Sequence, residues 1–200
     1  MENKSQEIDK ESKIIDMMLT AHSHIRDTNS FRATAMDIFL FISSIILNAT
    51  VFLDPSILAY LGVNSEKARL IIGLSSIIIF ILSFITLRVD WKQKSENYKQ
   101  SAETLSQLKS QCIELKNIND DIKYQEKMKN IKDAISKLPV KIPENEFLKL
   151  KALHKRKIEL SEMIDKNPGA SIFLMKTIMC FKANYNIFKS RRNGEENEKL

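Results

Sequence analysis

The apolar residues of this chain are concentrated in two uncharged runs. The run 38–53 has 16 residues, and the run 70–87 has 18 residues bounded by Arg69 and Arg88. A helix of 18 residues rises about 27 Å, which is close to the roughly 30 Å of a bilayer core. The pattern therefore predicts a transmembrane hairpin. The hairpin covers 33–88, with spans at about 36–53 and 70–87 and a connecting loop over 54–69.

The segment before the first run has the apolar period of a helix. Residues 1–32 are predicted to form an N-terminal cytoplasmic helix that runs back along the C-terminal region. No cleavable signal peptide is predicted here, because charges are spread through the segment. Its apolar face carries Ile8, Ile15, Met18, His22 and Ile25.

Apolar residues recur every seven positions after the second run, in two series offset by three. This seam predicts a long cytoplasmic helix over 89–138, which Pro139 and Pro143 terminate. Packing against another helix of the same chain and self-association are both open interpretations of the seam. The candidate seam residues are Trp91, Tyr98, Leu105, Leu108, Cys112, Leu115 and Ile122.

Two further amphipathic helices are predicted over 144–190, followed by a flexible tail over 191–200. The last helix has a continuous apolar stripe, which either docks on the other cytoplasmic helices or lies in the membrane interface. The stripe consists of Leu174, Ile178, Phe181, Tyr185 and Phe188. The predicted fold class is all-α: a two-helix transmembrane hairpin with an N-terminal amphipathic helix and a long, coiled-coil-like cytoplasmic C-terminal region.

Composition and charge support this assignment and exclude several classes. Only 4 Gly and 4 Pro argue against a sandwich or barrel with many tight turns. The net charge of +6 conceals a C-terminal part, from Arg88 onward, with 24 Lys/Arg and 16 Asp/Glu. Those charges alternate in sign along helices, so we expect attraction to anionic lipid and no nucleic-acid binding.

Positive charge also predicts orientation. Six Lys or Arg flank the outer ends of the spans, whereas the loop has only Lys67 and Arg69. By the positive-inside rule, we expect a multi-pass protein of the cell inner membrane with both termini in the cytoplasm. The outer set is Arg26, Arg32, Arg88, Lys92, Lys94 and Lys99.

Small and polar residues interrupt both runs at helical spacing. Such residues allow close packing of membrane helices, and repeated around an oligomer they can instead line a water-filled path. Asn48 is the strongest candidate, because an amide in hydrocarbon needs a partner or water. The candidates for pore lining or helix packing are Ser43, Ser44, Asn48, Thr50, Gly73, Ser76 and Ser83.

The sequence has none of the motifs that an enzyme requires. Its four glycines are isolated, so no phosphate-binding loop is present. Cys112 and Cys180 lie 68 positions apart, and His22 and His154 lie among apolar residues. We therefore predict no catalytic activity, no cofactor and no metal site.

The order of these elements resembles the SLATT family, the two-transmembrane effector domains of bacterial nucleotide-signalling conflict systems. The resemblance covers about 18–115 and depends on HSHIRDTNSFRATAMDIFLFISSI from His22 and VDWKQKSENYKQSAETLSQLKSQCIEL from Val89, with Glu96, Tyr98, Ala102 and Leu108. It implies an effector held inactive until a nucleotide-signal synthase or sensor encoded nearby triggers it. Such an effector then perturbs the inner membrane and stops the infected cell.

Two functional hypotheses follow. The first is an antiviral membrane effector that forms a homo-oligomer and permeabilises the inner membrane, which causes growth arrest or cell death. The second is a membrane-tethered helical scaffold that recruits a cytoplasmic partner and has no pore activity. The two differ in whether the spans only anchor the chain.

Overall fold

The computed structural model describes residues 2–51, 65–116, 118 and 120–197. Every element within these residues is a helix, which confirms the predicted all-α class. Most of the predicted loop 54–69 and the last three residues of the predicted tail lie outside the described residues. The helices are α1 (Glu2–Val51), α2 (Ser65–Val89), α3 (Trp91–Leu115), α4 (Asp121–Ser136), α5 (Glu144–Lys166) and α6 (Ile172–Asn197).

Helix α1 is a single helix of 50 residues that contains both the predicted N-terminal helix and the first apolar run. Its sequence contains no glycine and no proline, so nothing in it interrupts the backbone hydrogen bonds. At 1.5 Å per residue it is about 75 Å long. One helix thus belongs to two different environments, one charged and one apolar.

Among the described residues, two helical stretches are long and apolar enough to cross a membrane: one in α1, and one over Leu70–Leu115, which comprises most of α2 and all of α3. Their richest 18-residue windows have mean hydropathies of 1.6 and 2.7. Only 6% of the first window and 0% of the second are buried within the chain. These apolar stretches are therefore not the core of a water-soluble bundle, in which such residues would be covered.

Asp90 separates α2 from α3. Its backbone adopts the left-handed conformation, with φ of 47° and ψ of 60°. The Asp90 carboxylate accepts a hydrogen bond from the Gln93 backbone N–H at 3.1 Å, which caps α3. Backbone hydrogen bonds continue on both sides of this residue: the Asp90 N–H donates to the Thr86 carbonyl at 3.2 Å, and the Lys94 N–H donates to the Asp90 carbonyl at 3.1 Å.

Helix α3 runs antiparallel to the first part of α1. The order of contacts shows the direction: Lys116 Nζ lies 2.8 Å from Asp9, and Lys109 Nζ lies 2.5 Å from Asp16. Farther along α1, the Ser95 hydroxyl donates to the Arg26 carbonyl at 3.1 Å. The N-terminal segment therefore packs along the helix that follows the second apolar run, in the direction that the sequence predicted.

The predicted single helix over 89–138 is divided in the structure. Helix α3 ends at Leu115, and α4 begins at Asp121. The Asp120 side chain accepts hydrogen bonds from the backbone N–H groups of Ile122 and Lys123, so it caps a new helix. Asn and Asp favour such caps and turns over a helix interior, and this stretch contains several of them.

Helix α4 returns along α1 and completes a core shared by three helices. The Lys132 ammonium lies 3.0 Å from Glu7, and the Lys4 ammonium pairs with Asp121. The first turns of α1 thus lie between α3 and α4. We call these three packed helices the bundle. Its buried apolar residues are Ile8, Ile15, Leu105, Leu108, Cys112, Leu115, Tyr124, Met128, Ile131 and Leu138.

Residues 143–200 form a second compact unit, made of α5 and α6. The two helices contact each other, and Asn167 ends α5 just before Pro168 and Gly169. Within this unit the buried side chains are Leu150, His154 and Met175. Helix α6 extends to Asn197, so it includes most of the predicted flexible tail.

Candidate functional site

The second part of α1 and helix α2 face each other through one row of side chains on each helix. Helix α2 also runs antiparallel to α1, since Lys92 just after α2 lies beside Asp37, whereas earlier residues of α2 border a groove with later residues of α1. The half-buried residues are spaced alternately by three and four, which is the period of a helix–helix seam. They are Met36, Leu40, Ser43, Leu47 and Thr50 on α1, and Ile72, Ser75, Ile79, Leu82 and Thr86 on α2.

Two of the predicted pore-lining or packing residues lie in this contact. Ser43 and Thr50 are half-buried and border the groove between the helices. Ser75 lies in the same groove and was not predicted, although its spacing from Ile72 and Ile79 follows the same period. For Ser43 and Thr50, packing between the two helices is the role that the single chain supports.

The other five predicted residues are exposed, and each directly follows a contact residue. Successive residues of a helix are rotated by about 100°. In an antiparallel pair, positions one step after the contact therefore point to the same side of both helices. We call this the polar side of the α1–α2 pair. It contains Ser44, Asn48, Gly73, Ser76 and Ser83, together with Asp37, Phe41, Phe80 and Leu87.

The opposite side is apolar throughout the described part of the pair. The positions one step before each contact are Ala35, Phe39, Ile42, Ile46 and Ala49 on α1, and Ile71, Leu74, Ile78, Ile81 and Ile85 on α2. A groove of about 390 Å³ opens there, bordered by Phe39, Ile46, Ile71 and Ile78. These groove residues come from both helices, which supports the assignment of the two sides.

On the polar side, Asn48 can still form hydrogen bonds with groups outside the chain. The Asn48 amide nitrogen donates to the Ser44 carbonyl at 2.9 Å, which satisfies one of its two N–H groups. A Cβ placed on Gly73 would meet nothing within 4 Å, so no other part of the described chain approaches it. Both residues are exposed and lie on the surface that a neighbouring molecule would meet.

The candidate seam residues of α3 are mostly buried against α1. Leu105 and Cys112 are fully buried, and Trp91, at the start of α3, is half-buried. Ile122 is 80% exposed on α4, because the helix is interrupted between Leu115 and Asp121 and the seven-residue register is lost there. The remaining members, Tyr98, Leu108 and Leu115, are also buried.

His22 lies inside the bundle rather than at a ligand site. Its side chain has 0% exposure, and its ring centroid lies 5.4 Å from that of Tyr98. Neither ring nitrogen has a hydrogen-bond partner among the described residues. Burial lowers the pKa of His22 below its usual 6.5, because the charged imidazolium is poorly solvated there.

A charged network closes the end of the bundle nearest the N-terminus. Glu7 accepts hydrogen bonds at 3.0 Å from the Tyr124 hydroxyl and from Lys132 Nζ. The Lys132 and Tyr124 hydrogen bonds lower the pKa of Glu7. Burial, followed by the bond to Glu7, raises the pKa of Tyr124 to about 12. These side chains link α1 to α4.

A polar groove of about 430 Å³ lies beside the α2–α3 junction. Ser30, Thr34, Asp90 and Glu96 are among its lining residues. Lys92 Nζ lies 2.9 Å from the Asp37 carboxylate, and this hydrogen bond raises the pKa of Lys92. The junction thus marks the place where charged residues replace the apolar run on both helices.

Within the described residues, no group of three or more His, Cys, Asp or Glu side chains is arranged to hold a metal ion. Cys112 is buried and Cys180 is exposed, and the two belong to different units. Burial, followed by the charge of Glu11, raises the pKa of the Cys112 thiol, which makes it a poor nucleophile in the closed bundle.

In comparisons with known proteins, the chain matches no family model, no curated protein and no solved structure.

Proposed function

We propose that this protein is a membrane effector of a bacterial anti-phage system, which oligomerises and permeabilises the inner membrane when activated. The observation that carries the proposal is the asymmetry of the α1–α2 pair. One side has Ser44, Asn48, Gly73, Ser76 and Ser83, and the other side has only apolar residues. The resemblance to the SLATT family, with its nearby nucleotide-signal synthase or sensor, supplies the biological setting.

The asymmetry favours association of several copies. In a lone hairpin the remaining Asn48 amide groups would face hydrocarbon, where an unsatisfied polar group costs several kcal/mol. A ring of hairpins with their polar sides inward would bring these groups to one another or to water. The apolar sides, including the groove near Phe39 and Ile78, would then face lipid or the adjacent hairpin.

The bundle supports one orientation for both flanks of the hairpin. Because α3 packs along the first part of α1, residues before the first span and after the second would lie on the same side of a membrane. Six flanking Lys or Arg on that side, against Lys67 and Arg69 in the loop, favour the cytoplasm. In this arrangement the protein is multi-pass, with both termini cytoplasmic.

The first experiment removes the outward amide. Asn48→Leu is expected to abolish the loss of membrane potential, measured with a potential-sensitive dye, and the growth arrest during induced expression with the neighbouring genes. A matched control moves the amide to the apolar side, in the double variant Asn48→Leu with Ile42→Asn. This double variant keeps one amide in the span and exchanges one Ile for one Leu, so it should stay inactive if the permeation path runs along the polar side.

The second candidate function is a membrane-tethered scaffold. The observation that favours it is the bundle, whose packed core and surface ion pairs lie outside the two apolar runs. Replacement of residues 33–88 by an unrelated two-span hairpin distinguishes the scaffold from the permeabilising effector. Retained growth arrest with an intact membrane potential would support the scaffold, whereas loss of both effects supports the permeabilising effector.

A further inference from the structure

The apolar stripe of α6 is uncovered within the unit that α6 forms with α5. Its described members, which we call the α6 stripe, are Leu174, Ile178, Phe181 and Tyr185, with exposures of 54%, 49%, 71% and 67%. At about 100° per residue they fall within roughly 60° of one another. They extend over three turns of the helix, so they form a continuous apolar surface and not scattered exposed residues.

Contact with α5 uses a different face of α6. Met175 is 3% exposed and Met179 is half-buried, and they lie roughly 90° and roughly 130° from the middle of the stripe. The pairing of α5 with α6 therefore does not cover the stripe. Phe173, at 80% exposure, lies roughly 110° from the middle of the stripe, on the side away from Met175.

Charge around the stripe selects one kind of partner. The sequence has no Asp or Glu between Asp165 and Glu195, whereas it has six Lys or Arg there. Lys182 is exposed and lies about 70° from the middle of the stripe, where its ammonium can reach past the apolar residues to a headgroup. An apolar face bordered only by positive charge complements an anionic lipid surface.

We propose that α6 docks on the cytoplasmic surface of the membrane, with the α6 stripe inserted at the level of the headgroups and Lys182 on anionic phosphates. This inference rests on the insertion of the chain into a membrane and not on its permeabilising activity. Because α6 belongs to the same chain as the two apolar helices long enough to span a bilayer, membrane insertion would tether it near that surface. Docking then costs little translational entropy, because the helix is already tethered.

The experiment places a fluorescent probe on each face of α6 in the full chain. Phe181→Cys puts a thiol in the stripe, and Ala183→Cys puts one on the opposite, exposed face. Both are made in a Cys180→Ser background, and Cys112 is protected by its burial. Each variant, labelled with a polarity-sensitive dye, is reconstituted in vesicles of phosphatidylcholine and phosphatidylglycerol at three to one, with a lipid quencher at the upper acyl chain.

We expect quenching and a blue-shifted emission at position 181 but not at position 183. Docking should weaken in pure phosphatidylcholine, and Lys182→Gln should lower the ratio of docked to free α6 about five-fold. Unquenched emission at both positions would overturn the proposal. A blue shift at position 181 without quenching, which grows with the protein-to-lipid ratio, would overturn it in favour of a second copy of the chain.

A separate readout distinguishes failure of docking from failure of membrane insertion. The reconstituted chain is extracted at alkaline pH, which removes peripheral proteins but leaves spanning helices in the vesicles. A chain that is released contradicts insertion and, with it, the proposed function. A chain that is retained, but whose label at position 181 stays in water, contradicts only the docking of α6.

Discussion

The two parts of α1 show how one helix can serve two environments. Its first part is packed into the bundle, where Ile15 and His22 have 0% exposure and acidic residues pair with Lys on α3 and α4. Its second part touches α2 through a single row of half-buried residues, and large side chains such as Phe41 remain 68% exposed. The helix is continuous, but the forces that hold each part differ.

The bundle is stabilised by burial from water, because its apolar residues are covered within the chain. The α1–α2 pair buries little apolar surface within one chain. Its apolar residues can be removed from water only by lipid or by further copies of the chain. The bundle is thus a part whose core is complete within the chain, whereas the α1–α2 pair is a part that its surroundings complete.

Deletion of core volume should disrupt the bundle and leave the apolar pair unaffected. Leu105→Ala removes a side chain with 0% exposure and is expected to cost about 2–5 kcal/mol. Alkylation of Cys112, which requires opening of the bundle, should then accelerate by roughly 30-fold to more than 1000-fold. The measurement is the rate of Cys112 labelling in the full chain in detergent, with exposed Cys180 as the internal reference.

The matched control makes the same change in the other region. Leu74→Ala removes a side chain that is 56% exposed on α2. Labelling of Cys112 should stay within about two-fold of the unmodified chain, because exposed substitutions cost little. Equal acceleration by both substitutions would mean that the two regions unfold together, and the comparison would fail.

The junction between the regions should depend on Asp90. Asp90→Ala removes the cap of α3 and places Ala at a φ of 47°, for a combined cost of about 1–3 kcal/mol. Asp90→Asn keeps a side-chain acceptor and a residue that tolerates this conformation, so its cost should be small. Acrylamide quenching of Trp91, the only tryptophan, reports on the first turn of α3. Increased quenching in both variants would show that the cap does not determine this turn.

Acid should weaken the bundle through His22. The folded pKa lies below the usual 6.5, so between these two values the unfolded state binds the proton and the folded state does not. Stability therefore falls as pH decreases through this window, by at most about 1.4 kcal/mol per pH unit. Labelling of Cys112 relative to Cys180 should rise by up to about ten-fold per unit below pH 6.5. His22→Leu should remove the part of this dependence that belongs to the imidazole.

Much of this comparison is readable from the sequence. The all-helical class follows from long runs with helical period and few glycines and prolines, and the two apolar helices follow from the absence of charge. The antiparallel packing of α1 on α3 was expected from the face that carries Ile8, Ile15 and His22. Such features depend on local periodicity, which a single sequence contains.

Other features depend on tertiary context. The sequence does not reveal the helix break before Asp121, because the seven-residue spacing of apolar residues continues through Ile122. In the structure, the Asp120 cap starts a new helix there. The polar residues of the spans were grouped by helix, and only the antiparallel pairing separates Ser43 and Thr50 from Ser44 and Asn48. Ser75 was overlooked because its role depends on what faces it across the pair.

The smallest expected effect concerns the charged network that links α1 to α4. Glu7→Gln keeps an acceptor for the Tyr124 hydroxyl but removes the ion pair with Lys132. The side chains of Glu7 and Lys132 are 41% and 48% exposed. Such pairs contribute about 0.2–1 kcal/mol, so Cys112 labelling should rise at most about five-fold, and less at high salt. The pKa of Glu7 is below its usual 4.5, so this stability is present above pH 4.5 and is lost as pH falls through the lowered value. A salt-independent effect of more than ten-fold would mean that Glu7 acts through buried packing, and that the bundle depends on this contact as much as on its apolar core.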